Sequence, residues 1–377
     1  MRSYRRTESI DFVRGLVMIL MALDHVREYF GPATNPTDLT RTTAGLFFTR
    51  WVTHFCAPVF FLLVGAGVSL ARRKRPAVYM SRFLFARGIW LVLAELVVVR
   101  WIMQFNFDYR ATIVTVFWTI GWSMVALAVL VYLPAPIVAA AGILMIVASD
   151  ALAGQRSVLI SPGVIFSDAD HIVFAAYPLV PWLGVAAAGY GLGSMDGWSP
   201  ARRQAILWVL GIVLTGGFIA LRTANVYGDP VPWLRQSSIW FTALSFLNTN
   251  KYPPSLLFLM MTLGPALLVL AATDRRVPKM LRSARIFGQV PFFYFLLHLL
   301  AIHLLAVIVC YLRYGDAHWM VQSPSLDRFP FTRPPDWGFG LPVLYSIWAG
   351  IVAALYPVCR WYAGVKERHG GGWLRFL

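Results

Sequence analysis

Residues 8–30 read ESIDFVRGLVMILMALDHVREYF, a stretch apolar enough to cross a bilayer that nevertheless carries Asp11, Arg14, Asp24 and His25. Titratable groups at membrane depth are costly and mark functional positions by default. At about 100° per residue, Arg14 and His25 fall roughly 20° apart around a helix, with Met18 and Met21 between them and Asp11 about 60° away. A rise of roughly 1.5 Å per residue separates guanidinium from imidazole by about 16 Å, half the hydrocarbon thickness. One face of this helix therefore leads from a permanent cation to a titratable base.

The rest of the chain has the same apolar character. Of its 377 residues 58% are hydrophobic and only 13% charged, whereas soluble domains carry about a quarter charged residues. The fold class expected is an all-α, polytopic integral membrane bundle, with residues 1–377 forming a single domain. A net charge of +16 would suit nucleic acid only if it formed a basic face on a soluble domain. Here the basic residues cluster in short loops, so no nucleic-acid partner is expected. Cys56, Cys310 and Cys359 lie in apolar segments without ligand spacing, which argues for packing rather than a disulfide or a metal. The first apolar run is too long for a signal peptide and has no small-residue cleavage site, so it reads as an uncleaved span.

Ten apolar stretches approach spanning length, at 10–29, 45–71, 83–103, 113–133, 135–153, 173–195, 203–222, 255–272, 288–311 and 341–360. Alternate connections hold Arg2, Arg5 and Arg6, then Arg72 to Arg75 with Arg82, then Arg202, then Arg275 to Arg285, and finally Lys366, Arg368 and Arg375. The positive-inside rule then places both termini in the cytoplasm. Two connections on the opposite side, 223–254 and 312–340, are too polar and proline-rich to span and too aromatic to be free linkers. They read as ordered caps, since loops of this length in a compact domain are commonly functional. Trp233, Trp240, Trp319 and Trp337 would offer flat faces to a sugar or lipid headgroup, or form an interfacial belt.

In this topology His25 and His54 come to one level near the outer surface, while His298 lies near mid-membrane and His303 further out. A histidine held by a carboxylate can remove a proton from a hydroxyl or amine. Asp24 neighbours His25, but adjacent helical residues point about 100° apart, so it orients His25 or pairs with Arg27 or another helix. At the inner level Arg14 and Arg87 sit about one turn into the membrane, where forked guanidinium groups suit a phosphate-rich ligand such as coenzyme A or snorkel to headgroups. Glu95, with Arg100 five residues on, reads as one half of an interhelical ion pair. The run PWLGVAAAGYGLGSM lacks the strand that precedes a dinucleotide site, so Gly189 and Gly193 read as close helix packing.

Asp11-Phe12-Val13-Arg14-Gly15, with His25 fourteen positions after the Asp, resembles the first-helix motif D-x-x-R-G of the transmembrane acyltransferase superfamily. THFCAPVFFLLVGAG (53–67), YPLVPWLGVAAAGYGLG (177–193), KYPPSLLFLMMTLGPALL (251–268) and FGQVPFFYFLLHLLAIH (287–303) are similar to a bacterial branch of its heparan-α-glucosaminide N-acetyltransferase group. The resemblance covers helices one to nine and implies a multi-pass protein of a bacterial inner membrane. In such a protein, cytoplasmic acetyl-CoA gives its acetyl group to an extracytoplasmic glycan or amino-sugar acceptor. Arg14 and His25 match the motif positions. The H-x-x-W-x-G of the heparan enzyme is missing between the first two helices, and His54 stands instead before the Pro-x-Phe-Phe run, so either His25 or His54 can be the reactive imidazole.

The expected site is therefore His25, Asp24, His54 and His298 as catalytic residues and Arg14, Arg87 and Asp11 around the acyl-CoA, with no metal. His25 would act as base or acyl carrier. Two rivals remain: a proton-coupled secondary transporter using His25, Asp24 and Glu95, and a non-catalytic membrane subunit. The first predicts matching halves and broken helices, which the sequence does not display.

Overall fold

The computed structural model describes residues 2–152 and 157–369; the end of the basic tail, with Arg375, lies outside them. The chain runs α1 (Arg2–Phe30), α2 (Ala44–Thr53), α3 (Cys56–Arg72), α4 (Ala77–Ala94), α5 (Arg100–Gln104), β1 (Ala111–Val114), α6 (Val116–Leu130) and α7 (Ala135–Ala151). It continues through β2 (Gly163–Ser167), β3 (Ile172–Ala175), α8 (Leu179–Ser194), α9 (Pro200–Ala224) and α10 (Ile239–Leu247). The last elements are α11 (Leu256–Thr273), α12 (Ala284–Gln289), α13 (Pro291–Tyr314) and α14 (Leu341–His369). Side-chain oxygens of Thr43, Ser199, Ser238 and Ser255 cap the starts of α2, α9, α10 and α11, satisfying backbone N–H groups that have no partner within the helix.

Each of the ten apolar stretches carries a helix. Five segments are both long and apolar enough to cross a membrane: Ala44–Arg72, Pro200–Ala224, Leu256–Thr273, Pro291–Tyr314 and Leu341–Arg368. The others differ for identifiable reasons. Arg14, Asp24, Arg27 and Glu28 interrupt α1, and α6 and α7 have only 15 and 17 residues, short of the ~20 needed to span upright. The third stretch passes through a π-helical turn, Glu95–Val99, between α4 and α5, and α8 has only 16 residues; the second, one of the five, is broken between α2 and α3 at His54 and Phe55.

Glu95 corrects an expectation. Its Oε1 accepts the backbone N–H of Thr115 at 2.6 Å and the Thr115 hydroxyl at 2.7 Å, so the carboxylate holds the head of α6 instead of forming an ion pair. Arg100 turns to Asn106 and Asp108. A small sheet, in the order β1-β3-β2 with β1 parallel and β2 antiparallel to β3, was not expected either. Its four- and five-residue strands are too short to stand out beside the helical apolar runs that β1 and β3 adjoin.

The central helix is α1. Phe12, Val13 and Val17 pack into a core with residues of α3, α8 and α11, whereas Met18, Ala22, Val26, Tyr29 and Phe30 join a second core with α13 and α14. The glycine run in α8 serves close packing: a Cβ on Gly189 would stand 2.0 Å from the Leu62 carbonyl oxygen of α3.

The second long connection caps the C-terminal end of α1, and the first meets the loop that follows it. Arg333 donates to the carbonyls of Gly31 and Glu28 at 2.7 and 3.0 Å, Trp337 Nε1 to that of Tyr29 at 2.8 Å, and Asn248 to that of Thr37 at 3.0 Å. Within the first cap, Arg222 at the end of α9 is fully buried and donates to the carbonyls of Val231, Ser245, Phe246 and Asn248, 3.6 Å from a buried Asp229. Removing one partner of such a pair costs about 3–5 kcal/mol because the other is left buried without it. Arg222→Met is therefore expected to lower the melting temperature and to open residues 223–254 to limited proteolysis. An unchanged digestion pattern would show that the cap stands without this clamp.

Candidate active site

A cavity of about 570 Å³ runs alongside α1 from the level of Arg14 to the level of Arg27, within the ~300–1,000 Å³ range of small-ligand sites. One end is cationic. Arg14 of α1, Arg87 of α4 and Lys366 of α14 line it together with Gln289. Arg14 is held in place by its own helix and by α12, since Nη1 donates to the Gly288 carbonyl at 2.9 Å and to Asp11 at 3.2 Å. Asp11 does not line the cavity; it orients the guanidinium that does.

The waist is apolar. Met18 and Met21 of α1 face Phe60, Phe117, Phe292 and Phe295 across it. His25 stands in this wall, edge-on to Phe295. Its Nδ1 lies 2.8 Å from Nε2 of His298, whose Nδ1 lies 2.7 Å from the Tyr294 carbonyl. A carbonyl only accepts, so with both rings neutral His298 donates from Nδ1 and accepts at Nε2 from the Nδ1–H of His25. The chain of bonds leaves the lone pair on His25 Nε2 open. His298 is fully buried and reaches the site only through His25.

The far end is lined by Asp24, Arg27, Glu28, Arg50, Tyr177, Lys251 and Tyr252. Asp24 receives Arg27 on Oδ1 at 2.8 Å and Arg50 on Oδ2 at 2.5 Å. Both oxygens are engaged by arginines, so Asp24 ties α1 to α2 and His25 is oriented by His298. His54, at the break between α2 and α3, is buried against Phe258 with its Nδ1 unpartnered among the described residues, outside the cavity that its neighbours Thr53 and Cys56 line. His303 bridges the carbonyls of Ile102 and Met320 at 2.6 and 2.8 Å, tying the second cap to α5. Trp233 and Trp337 donate to the carbonyls of Arg222 in α9 and Tyr29 in α1 and do not line the cavity, whose far end has Tyr177 and Tyr252 in its wall.

Sequence reasoning had read Lys366 only as part of a basic inner segment and passed over Lys251, Arg50, Tyr177 and Tyr252 as site residues. They come from four separate elements, so no local spacing joins them. The available signals were the YPLVPWLG and KYPPSLLF segments, which start at Tyr177 and Lys251.

A helical bundle with several membrane-crossing segments, enclosing a cavity with cationic ends, an apolar waist and an imidazole in its wall, defines an integral membrane protein with a ligand site in its interior. The sequence profile of the heparan-alpha-glucosaminide N-acetyltransferase catalytic family matches residues 6–208. That is more than half the chain, and the chain belongs to this family of membrane acyltransferases. Among curated proteins no match is found. The matched region holds Arg14, Asp24, His25, His54 and Arg87. His298, Lys251 and Lys366 come from the part beyond it.

Proposed function

We propose that the protein transfers an acetyl group from cytoplasmic acetyl-CoA to an extracytoplasmic glycan or amino-sugar acceptor. It would sit in a bacterial inner membrane with about ten membrane-crossing helices and both termini in the cytoplasm. The observation that carries the reading is the single cavity joining three cations at one end to the open Nε2 of His25 and on to a second polar end. Arg14, Arg87 and Lys366 would hold the phosphates of the donor, with Asp11 fixing Arg14, while the apolar waist takes its uncharged arm and thioester.

The acceptor hydroxyl or amine attacks the thioester carbonyl as His25 Nε2 takes its proton. The carbon–sulfur bond then breaks, and the same proton passes to the departing sulfur to give coenzyme A thiol. During the reaction the imidazolium is stabilised through its Nδ1–H by His298. Asp24 and His54 act through the scaffold, the first by joining α1 to α2 and the second at the head of α3.

Binding of acetyl-CoA to the purified protein in detergent tests this directly. Saturable binding is expected, weakened about tenfold or more in Arg14→Ala, which removes a charge-assisted contact worth about 1.5–3 kcal/mol. Well-folded protein that binds no acetyl-CoA would overturn the donor assignment.

A further inference from the structure

The chamber at the far end of the cavity has a feature that acyl-CoA binding does not use. Lys251 is only 8% exposed, yet its ammonium has no hydrogen-bond or ion-pair partner among the described residues. Its contacts are the ring faces of Tyr252 and Tyr177, 5.1 and 5.9 Å away, and it lines the cavity. Beside it, Arg27 and Arg50 share one carboxylate, Asp24. With Glu28 included, the charged groups here are three cations and two anions, so the chamber keeps one positive charge in excess. A buried cation left unpaired is costly, and its natural complement is an anion delivered by a ligand.

We propose that this chamber is an anion subsite, and that the acceptor carries a carboxylate or phosphate close to the group that is acylated. Lys251 recognises that charge, while the two tyrosine rings lie against the body of the acceptor. The reach of the assignment follows from sign. A protonated amine meets the excess positive charge and is disfavoured, a neutral hydroxyl compound gains from Lys251 only a hydrogen bond to a neutral acceptor, and an acidic hydroxyl compound gains a charge-assisted one and is held with its nucleophile toward His25. Lys251 is thus a specificity determinant, and its charge rather than its length carries the role. This inference rests on the acyltransferase reading for the acceptor's identity, but the subsite itself does not depend on it.

The test is equilibrium binding of glucuronate, glucose 6-phosphate, inorganic phosphate, glucose and glucosamine to the purified full chain in detergent. Wild type is compared with Lys251→Met, Lys251→Arg and Arg14→Ala, and acetyl-CoA binding is measured in parallel on each. Glucuronate or glucose 6-phosphate is expected to bind at least tenfold more tightly than glucose. Lys251→Met should remove that preference and Lys251→Arg restore it, with Arg14→Ala leaving it in place. A preference shared equally by glucuronate and glucose 6-phosphate assigns charge alone, and a preference for one assigns its acid group. Inorganic phosphate binding as tightly as glucose 6-phosphate would show an anion site that does not read the sugar, and would overturn the acceptor assignment. Equal binding of charged and neutral sugars, tighter binding of glucosamine, or an acid preference lost in Arg14→Ala but kept in Lys251→Met would overturn the subsite. Loss of acetyl-CoA binding alone, with the Lys251-dependent preference intact, would instead count against the donor reading and leave the subsite standing.

Discussion

His25→Ala is expected to abolish acyl transfer, by about 10²–10⁴-fold for loss of a positioned base, while the protein still inserts and still binds acetyl-CoA. The separation follows from where the ring sits. His25 is in the apolar waist, and among the described residues its side chain's one hydrogen bond is to His298, whereas the cations proposed to hold the donor are grouped at one end of the cavity. Removing the imidazole takes away the proton acceptor without touching those contacts. His298→Phe is expected to act differently: with the base present but no longer held in one tautomer, the rate should fall by about tenfold or more with the KM for acetyl-CoA unchanged, and the pH profile should shift. Transfer is measured with labelled acetyl-CoA against a folding control by size exclusion in detergent. Full activity in folded His25→Ala would remove the imidazole from the chemistry and return the rival transporter and non-catalytic readings to contention.

The second large effect is structural and concerns Gly15. A Cβ placed there would lie 1.8 Å from the carbonyl oxygen of Ala284 in α12, and a Cβ on Gly288 would lie equally close to the carbonyl of Asp11. The two backbones touch, so nothing flexible can yield and α12 must move away as a unit. Gly15→Ala is expected to destabilise the protein by about 3 kcal/mol or more, at or beyond the upper end of ordinary overpacking. It should also weaken acetyl-CoA binding, because the bond from Arg14 to the Gly288 carbonyl depends on the same approach. Thermal unfolding in detergent and a binding isotherm on the surviving folded fraction are the readouts. A Gly15→Ala protein that melts and binds like wild type would mean that α1 and α12 are held less closely than described.

These two residues show how much was legible beforehand. The Arg14–His25 face could be read from helix periodicity and the D-x-x-R-G motif from the family resemblance, and the cavity runs along that face. What the motif does locally was not legible, since Asp11, Arg14 and Gly15 all act toward α12, some 270 residues away in the chain. The pairing of Asp24 with Arg27 was visible as an i,i+3 spacing, but the second arginine, Arg50, came from another helix. His298 was placed by hydropathy and Tyr294 one turn before it, yet the link to His25 is a tertiary contact. Apolar runs located the helices well. They did not distinguish helices long enough to span from those interrupted by charge or cut short, and they concealed the sheet.

The methionine and phenylalanine waist has a further consequence, for the energetics of the host membrane. A passage lined by charges at both ends would short-circuit the ion gradient if water filled it throughout, since each charge crossing releases about 2.3 kcal/mol per 100 mV. Between the charged ends the lining of Met18, Met21, Phe60, Phe117, Phe292 and Phe295 offers a bare ion nothing to replace its water. Under the proposed transfer, an uncharged acyl arm would share the polarity of this lining and a hydrated ion would not, so a chemical group would cross the membrane's electrical barrier while its voltage is kept.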